Sequence, residues 1–364
     1  MTAKVGKTEI TIKKKDKSFI ARIGGLVVTF ALVLVITALI IAMSGKNPIE
    51  AFGYLFEGAF SSTYNIGETM VKTIPLLIAG LGLCICYRTG LTSVGAEGQM
   101  AIAGLMTTIV GVYVTGLPRL VMIPLCLIFG MIGGGIWAGI AGFLKAKFGI
   151  SEIINTIMLN YIASFTVSYM CSGPIIEPPG TYIQSSMLQD TAFLTKLVPQ
   201  TRIHTGIIIA IISIVVVYLL IWKSPLGYQM RAVGYNPSAA KTSGINVTKN
   251  LVLAMFLSGA FCGLAGAIEI MGLHHRLMPG FTSELGFDAM AIALLGGLHP
   301  VGVTLSALFF GALRAGSTTM QRAMQIPASL VSIIQGLIII FVMMQGLFSN
   351  FIIKISKGKS GKEA

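Results

Sequence analysis

Two carboxylates interrupt apolar stretches of this sequence, and they are the residues best suited to chemistry in it. Glu97 lies in LTSVGAEGQMAIAG, two residues before Gln99, and Asp288 lies in GFTSELGFDAMAIALLG. A carboxylate near the middle of a membrane costs roughly 3 kcal/mol on insertion scales, so it usually faces a water-filled cavity or a bonded partner. Carboxylate oxygens are also strong hydrogen-bond acceptors. These residues predict a site that holds polar groups by hydrogen bonding.

The composition places these carboxylates in a membrane protein. Hydrophobic residues make up 54% of the chain and charged residues 11%, whereas a soluble domain has about 25% charged residues. Apolar runs of about 20 residues recur, each long enough to cross the hydrocarbon of a bilayer. We predict an all-α polytopic membrane protein with about ten transmembrane helices, and an amphipathic helix on the membrane surface within 47–62. The predicted spans are roughly 20–43, 67–88, 92–114, 120–146, 151–172, 205–222, 250–272, 281–298, 301–320 and 327–348.

The distribution of charge predicts the orientation. The net charge is +13, and basic residues crowd the two tails, 1–19 and 351–364. By the positive-inside rule, both tails and the loop 223–250 lie in the cytoplasm, and the loop 173–204 lies outside. The transmembrane domain then runs from 20 to 350. This rule explains the positive charge better than nucleic-acid binding does, so no nucleic-acid partner is expected.

The segment around Glu97 has a second copy in the chain. Residues 90–106 and 280–296 are identical at eight of seventeen positions, among them Ser93 with Ser283. The copies form the third and eighth predicted spans, so they run in opposite directions. Such an inverted repeat places the solute pathway of a transporter at the interface between the copies.

We therefore expect a polar pathway lined by both copies and by the fifth span. The glycines beside Glu97 would allow a broken helix there, which a membrane tolerates only against protein or water. A structural alternative stays open, in which Glu97 only bonds a neighbouring span, for instance Asn155 or Asn160. Both roles can hold together. The predicted pathway residues are Ser93, Glu97, Gln99, Asn155, Asn160, Ser283 and Asp288.

One loop has the features of a docking surface. KSPLGYQMRAVGYNPSAAKTSGINVTKN, residues 223–250, is longer than most connectors between neighbouring helices. Asn236 or Ser238 can cap a short helix, Pro237 suits its first turn, and Gly244 ends it. A short helix held at the membrane face by a turn on each side predicts a binding surface for a partner protein.

The remaining residue types indicate packing rather than catalysis. The five cysteines are interpreted as buried apolar residues, and the four histidines have no metal-ligand spacing. The sequence has no evident nucleophile–base pair and no G-x-x-x-x-G-K-[ST] phosphate loop. We therefore expect no enzyme activity, no cofactor and no metal, with energy supplied by a separate partner. Two series of small residues predict close helix contact. They are Gly134, Ala138 and Gly142, and Gly259, Gly263 and Ala267.

The segment GYQMRAVGYNPSAAKTSGI resembles the coupling loop of bacterial ABC importer permeases of the branched-chain amino acid, ribose and nucleoside type. Two alanines followed after three residues by a glycine match the core of that loop, and Ser238 stands where the wider motif has Glu. GAEGQM, SEIINTIMLNYI and GFDAMAIALLGGLHPVG are similar to the same family, most closely to its nucleoside permeases, and the likeness covers the chain after Ile20. The resemblance implies these ATPase-coupling residues: Arg231, Gly234, Asn236, Pro237, Ala239, Ala240 and Gly244.

The resemblance further implies a permease subunit of an ATP-driven importer in the bacterial cell membrane. Its partners would be ABC ATPase subunits at the loop 223–250, a second and related permease subunit, and a substrate-binding lipoprotein outside. The expected solute is neutral and polar, purine nucleosides first, and a ribose-type sugar suits the same amides and hydroxyls nearly as well. An ion-coupled secondary transporter also uses inverted repeats and midplane carboxylates, but it has no need of a helical docking loop.

Overall fold

In a computed structural model, the described residues are 2–5, 8–13, 35–327, 333, 336–337 and 352–357. Helices dominate them, because a segment in lipid must satisfy its backbone N–H and C=O groups internally. The helices are α1 Val35–Met43, α2 Pro48–Phe60, α3 Thr63–Arg88, α4 Ala96–Tyr113, α5 Arg119–Phe148, α6 Glu152–Ser172, α7 Gly206–Tyr218, α8 Pro225–Tyr235, α9 Pro237–Thr242, α10 Val247–Glu269, α11 Leu285–Leu295 and α12 Pro300–Met324. The π-helical turns Leu219–Lys223 and Ile270–His274 extend α7 and α10, and Asp190–Ala192 is a 3-10 helix.

Among the described residues, six helices are long and apolar enough to cross a membrane: α3, α5, α6, α7, α10 and α12, with α7 and α10 counted to the end of their π-helical turns. A seventh span results if α1 and α2, bent by 114°, form one crossing. The all-α polytopic class is confirmed, but the number of ten spans stays a prediction. Helices α4 and α11 begin at Ala96 and Leu285, four residues later than the spans predicted there. Most of the predicted span 327–348, and residues 20–34 of the first, lie outside the described residues.

The chain divides into two compact units, Tyr54–Thr319 and the two ends Met1–Gly53 with Met320–Ala364. Within the unit made by the ends, three strands form an antiparallel sheet in the order β1-β2-β3. They are β1 Thr2–Val5, β2 Thr8–Lys13 and β3 Ile352–Lys357. The central strand pairs Thr8 with Lys357 and Lys13 with Ile352. The charge of the two tails did not predict this sheet.

Helices α5 and α10 touch backbone to backbone along the predicted small residues. A Cβ atom added to Gly134 would lie 2.8 Å from the Cα atom of Gly263 and would collide with the carbonyl oxygen of Gly259. One added to Gly142 would lie 2.8 Å from the Cβ atom of Met255. In lipid no hydrophobic force drives helices together, so their association depends on close van der Waals packing. Small residues allow the two backbones to approach closely enough for it. The predicted close packing is confirmed.

Helix α3 is the central element of the unit Tyr54–Thr319. Its Gly82 faces Phe261 of α10, while its Gly80 faces Ile292 of α11 and Val303 of α12. From Val71 to Cys86 its apolar side chains are buried, whereas Tyr64 and Ile66 near its start are exposed. All five cysteines of the chain are buried and free, as expected. Because α3 is covered on several sides by protein, it can hold the shorter helix α11 in a fixed position.

Candidate functional site

The start of α4 is fixed by a side chain from α6. The backbone N–H of Gly98 donates to Asn160 Oδ1 at 2.9 Å, and Asn160 Nδ2 donates to the carbonyl of Val94 at 2.9 Å. A Cβ atom on Gly98 would lie 2.8 Å from Asn160 Oδ1, so a glycine makes room for the contact. Asn160 therefore satisfies one of the backbone donors that the first turn of a helix leaves free.

The start of α11 is fixed by the carboxylate of Glu97. Glu97 Oε1 accepts from the hydroxyl of Thr282 and from the N–H of Glu284 at 3.2 Å, and Oε2 accepts from the N–H of Gly286 at 2.8 Å. Ser283 and Glu284 have left-handed backbones, with φ of 44° and 66°. A negative charge at a helix N-terminus is favoured by the helix dipole as well as by these bonds. Glu97 of one repeat copy therefore caps the helix of the other.

The two copies meet beside the middle of α3. The carbonyl oxygen of Ala289 and the side chain of Ile292 lie beside Gly80, and the carbonyl of Leu298 accepts from Arg88 Nε at 2.9 Å. An 11-residue helix is about 16 Å long, whereas the 26 residues of α3 extend about 39 Å. Because α11 follows the half of α3 that ends at Arg88, its N-terminus lies near the middle of α3.

The two helices leave this point in opposite directions. Helix α4 ends beside Gln189, whose Nε2 donates to the carbonyls of Val112 and Val114 at 3.0 and 2.9 Å. Helix α11 ends at the turn held by Arg88. This divergence agrees with the predicted inverted repeat. We call residues 93–99 and 282–288, with the two helix N-termini that they contain, the junction.

An ion pair connects the junction to α12. Arg314 Nε donates to Asp288 Oδ2 at 2.7 Å, and Arg314 Nη2 donates to the carbonyl of Ser283 at 2.8 Å. The side chain of Arg314 is 17% exposed and that of Asp288 10%. Asp288 was a predicted pathway residue, whereas Arg314 and Thr282 were missed. A lone arginine inside the predicted span 301–320 was the signal available for Arg314.

The predicted pathway residues differ in how much of their bonding capacity is already used. Glu97 bonds to the second repeat copy rather than to Asn155 or Asn160, which the structural alternative had named. Ser93 is buried, and its Oγ accepts from the N–H of Gly95 at 3.3 Å. Ser283 is exposed. Within the described part of the chain, the buried atoms Gln99 Oε1 and Asn155 Nδ2 have no hydrogen-bond partner.

The loop 223–250 contains two helices rather than one. Ser224 Oγ accepts from the N–H of Gly227 at 3.0 Å and caps α8. Asn236 Oδ1 accepts from the N–H groups of Ser238 and Ala239 at 3.0 and 3.1 Å and caps α9. The predicted short helix is therefore confirmed, with Asn236 as its cap. Gly244 follows it with φ of 82°, a conformation that favours glycine.

The predicted coupling residues do not all face outward. Asn236, Pro237 and Ala239 are exposed, whereas Ala240 is 4% exposed and belongs to the packing of the loop. Gly234 faces the backbone at the end of α3, and Arg231 is partly buried. A groove of about 620 Å³ lies beside α9. It is lined by Pro237, Ser238, Lys241 and Gly244 to Thr248.

Two oppositely directed helices meet at a polar junction among membrane-spanning helices. This arrangement is typical of multi-pass membrane transport proteins. Residues 65–343 match the model of a family described as branched-chain amino acid transport system / permease component. The chain belongs to this family of ABC permease components rather than to a family of enzymes.

Three relatives resemble the chain over most of its length. The guanosine ABC transporter permease protein NupP of Bacillus subtilis is 36% identical over 330 residues, 90% of this chain and 93% of the relative. The glucose ABC transporter permease protein TsgB13 of Haloferax volcanii is 33% identical over 348 residues, 93% and 91% of the two chains. The nucleoside ABC transporter permease protein NupB of Lactococcus lactis is 35% identical over 315 residues, 84% and 86% of the two chains. No solved structure matches the chain significantly.

Proposed function

We propose that this chain is the transmembrane permease subunit of an ATP-driven importer of nucleosides, purine nucleosides first. Its family supports the permease role. Of the three relatives, one is named for guanosine and one for nucleosides, and each covers more than four fifths of this chain. The relative named for glucose is nearly as similar, so a simple sugar is the second candidate.

The charge balance of the junction is the observation that carries the choice of a neutral solute. Two helix N-termini meet there, each equivalent to about +0.5 of an elementary charge. Of the three carboxylates in the junction, that of Glu97 bonds the N-terminus of α11, and that of Glu284 belongs to an exposed residue. Asp288 and Arg314 neutralise each other. A binding site for a coupling ion would need carboxylate oxygens with free capacity. Glu97 already accepts three hydrogen bonds of the about four that a carboxylate can accept, and Asp288 is paired with Arg314. The arrangement therefore favours a permease for a neutral polar solute over an ion-coupled secondary transporter.

Within this proposal, the predicted pathway residues take two different roles. Gln99 and Asn155 keep an unpartnered amide atom in the described part of the chain, and they would bond hydroxyls or base N–H groups of the solute. Ser283, which is exposed, would reach the solute from the second copy. The remaining residues would hold the shape of the pathway. They are Ser93, Glu97, Asn160 and Asp288.

The partners follow from the same proposal. The exposed side of α9, with Pro237 and Ala239, would bind an ABC ATPase subunit at the cytoplasmic face. A second, related permease subunit would complete the pathway, and a substrate-binding lipoprotein would deliver solute at the outer loop 173–204. Both tails would then lie in the cytoplasm and the domain 20–350 in the cell membrane.

Uptake measurements test the solute. Strains with and without this gene receive labelled guanosine, labelled ribose or glucose, and a labelled branched-chain amino acid. We expect gene-dependent uptake of guanosine that unlabelled adenosine or inosine reduces and free ribose does not. Uptake of a sugar, with no competition by nucleosides, would move the assignment to the second candidate. Uptake that persists after ATP depletion but collapses with the ion gradient would favour the secondary transporter.

Co-purification with the ATPase subunit tests the docking surface. Ala239→Glu places a charge on the exposed side of α9 without entering the packing, because Ala239 is exposed whereas Ala240 is not. We expect the variant to accumulate normally and to lose the ATPase during purification. Thr181→Glu, at an exposed residue of the outer loop, is the matched control and should retain it. Equal retention by both variants would contradict a docking role for α9.

A further inference from the structure

Arg88 ends α3, and it contacts the last turn of the segment that contains α11. Arg88 Nε donates to the carbonyl of Leu298 at 2.9 Å, and Nη2 donates to the carbonyl of Gly297 at 3.1 Å. Gly297 and Leu298 both have left-handed backbones, with φ of 64° and 55°. One guanidinium therefore holds the turn that closes α11, and its planar fork suits two carbonyls at once.

The same guanidinium touches the residues that lead into the loop 223–250. Its central carbon lies 5.4 Å from the ring centre of Trp222, two residues before the Ser224 cap of α8. The ring of Trp222 also lies 4.9 Å from that of His299, and Tyr218 stacks on Trp222 at 5.9 Å. The turn after α11 is thus contacted by Arg88, and the residue that follows it, His299, packs against the aromatic residues that precede α8.

The far end of α8 contacts the backbone of Arg88 and of the two residues that follow it. A Cβ atom on Gly234 would lie 3.0 Å from the carbonyl carbon of Thr89 and would collide with the carbonyl oxygen of Arg88. A Cβ atom on Gly90 would lie 3.1 Å from the Cα atom of Gly234. Because backbone meets backbone, no flexible side chain can absorb a displacement of α8. Close-packed contacts of this kind transmit strain.

We propose that Arg88 is a positioning residue that links the loop 223–250 to the junction through α11. A displacement of α8 moves Arg88 and the turn at Gly297, and α11 carries that movement to its other end, where Gly286 bonds Glu97. An 11-residue helix can do so because its own backbone hydrogen bonds keep it rigid over about 16 Å. The transport test of this link rests on the proposed function, whereas the hydrogen-exchange test does not.

Hydrogen exchange on the purified full-length chain tests the link directly. We expect Arg88→Gln to accelerate exchange of the amides of Glu284 and Gly286 by about ten-fold, as a local opening at the far end of α11 would. Arg119→Gln is the matched control, because Arg119 Nε and Nη2 also donate to a backbone carbonyl, that of Phe193, at 3.2 and 2.6 Å. It should leave those amides unchanged. Faster exchange confined to residues 296–299 in Arg88→Gln would show an anchored turn without a link, and would overturn the proposal.

Transport by the complete complex in proteoliposomes gives the second readout. We expect Arg88→Gln to lower the solute moved per ATP hydrolysed by about ten-fold while the half-saturating solute concentration changes less than two-fold, since Arg88 touches neither Gln99 nor Asn155. Arg88→Lys keeps the charge without the fork and should fall between wild type and Arg88→Gln. An unchanged ratio of solute to ATP in both variants would overturn the link. If wild type moves neither nucleoside nor sugar, the proposed function fails, and hydrogen exchange alone decides the role of Arg88.

Discussion

The two repeat copies are identical at about half of their positions, but their helices are capped in different ways at the junction. In the first copy, the start of α4 is capped from outside the repeat by Asn160 of α6. In the second, the start of α11 is capped by Glu97 of the first copy. The copies also differ in length, 18 residues for α4 and 11 for α11. The start of α4 therefore depends on α6, and the start of α11 depends on the first copy.

The difference in capping shows how two similar segments can form one asymmetric polar site. Identical residues at matched positions, such as Ser93 and Ser283, end in different surroundings, the first buried and the second exposed. Asp288 corresponds by position to Gly98, so the ion pair with Arg314 belongs to one copy alone. The repeat brings the N-termini of α4 and α11 together at the junction. The residues that differ between the copies, such as Glu97, determine which copy caps the helix of the other.

The largest effect is expected from the ion pair that only the second copy has. Asp288→Ala leaves Arg314 partly buried without its carboxylate, and breaking a buried pair in this way destabilises a protein by about 3–5 kcal/mol. The thermal midpoint in detergent should fall strongly. Adding Arg314→Gln should restore most of it, because the uncompensated charge is then removed. A double variant as unstable as Asp288→Ala would show that the pair is not what Asp288 contributes.

Removing the charge of Glu97 tests the bond between the copies. Glu97→Gln turns one acceptor oxygen into an NH₂ group facing backbone donors, and an orphaned buried N–H costs about 1–3 kcal/mol. The thermal midpoint should fall, and Glu97→Ala should lower it further. Glu284→Gln is the control, because this side chain is exposed, and it should stay near wild type.

Transport per folded molecule then separates the two roles of Glu97. A loss in Glu97→Gln beyond its loss of stability would place the carboxylate in the pathway as well as in the junction. Full specific activity at reduced abundance would leave it a structural role alone.

Two asparagines on α6 provide a matched pair. Asn160→Ala loses two hydrogen bonds at the start of α4 and should destabilise the chain by about 1–2 kcal/mol. Asn155→Ala removes an amide whose Nδ2 has no partner in the described residues, so stability should hold while the half-saturating solute concentration rises. Paired measurements of thermal midpoint and uptake check this. Opposite results would exchange the roles proposed for the two residues.

The matched serines should show the smallest effects. Ser93→Ala removes a buried acceptor for the N–H of Gly95 and should cost up to about 1 kcal/mol. Ser283→Ala changes an exposed hydroxyl and should stay within about 0.5 kcal/mol, with an effect on uptake if it contacts solute. Equal losses of stability in the two variants would mean that the copies are held alike, against the asymmetry described above.

The sequence predicted the spanning helices better than the junction, for a physical reason. Helix α3 ends at Arg88 where the predicted span 67–88 ends, because a long apolar run in lipid has few alternatives to a helix. Helices α4 and α11 begin later than predicted, because bonds from Asn160 and Glu97 hold the preceding residues outside the helix. Asn160 bonds the carbonyl of Val94, and Glu97 bonds the N–H of Glu284, which has a left-handed backbone. Contacts from distant parts of the chain decide such boundaries, and local patterns do not record them.

In the loop 223–250 as well, features set by the local chain were predictable and features set by distant contacts were not. The cap at Asn236 and the turn at Gly244 were readable because each depends on the local chain. The inward packing of Ala240 and the contact of Gly234 with the end of α3 were not, because both depend on what lies behind the loop. Family resemblance named a segment and could not tell its outer side from its inner one.

The glycine contact between α5 and α10 also has a consequence for biosynthesis. Helices α6 to α9 are made between the two partners, so at about 5–20 residues per second α10 follows α5 by several seconds. During that interval the groove at Gly134 and Gly142 faces lipid or other newly inserted helices. A bulky residue in α10 at Gly259 or Gly263 would leave that groove permanently unfilled. Such a chain should be inserted normally and then removed by membrane proteases, so the defect would first appear in protein lifetime rather than in synthesis.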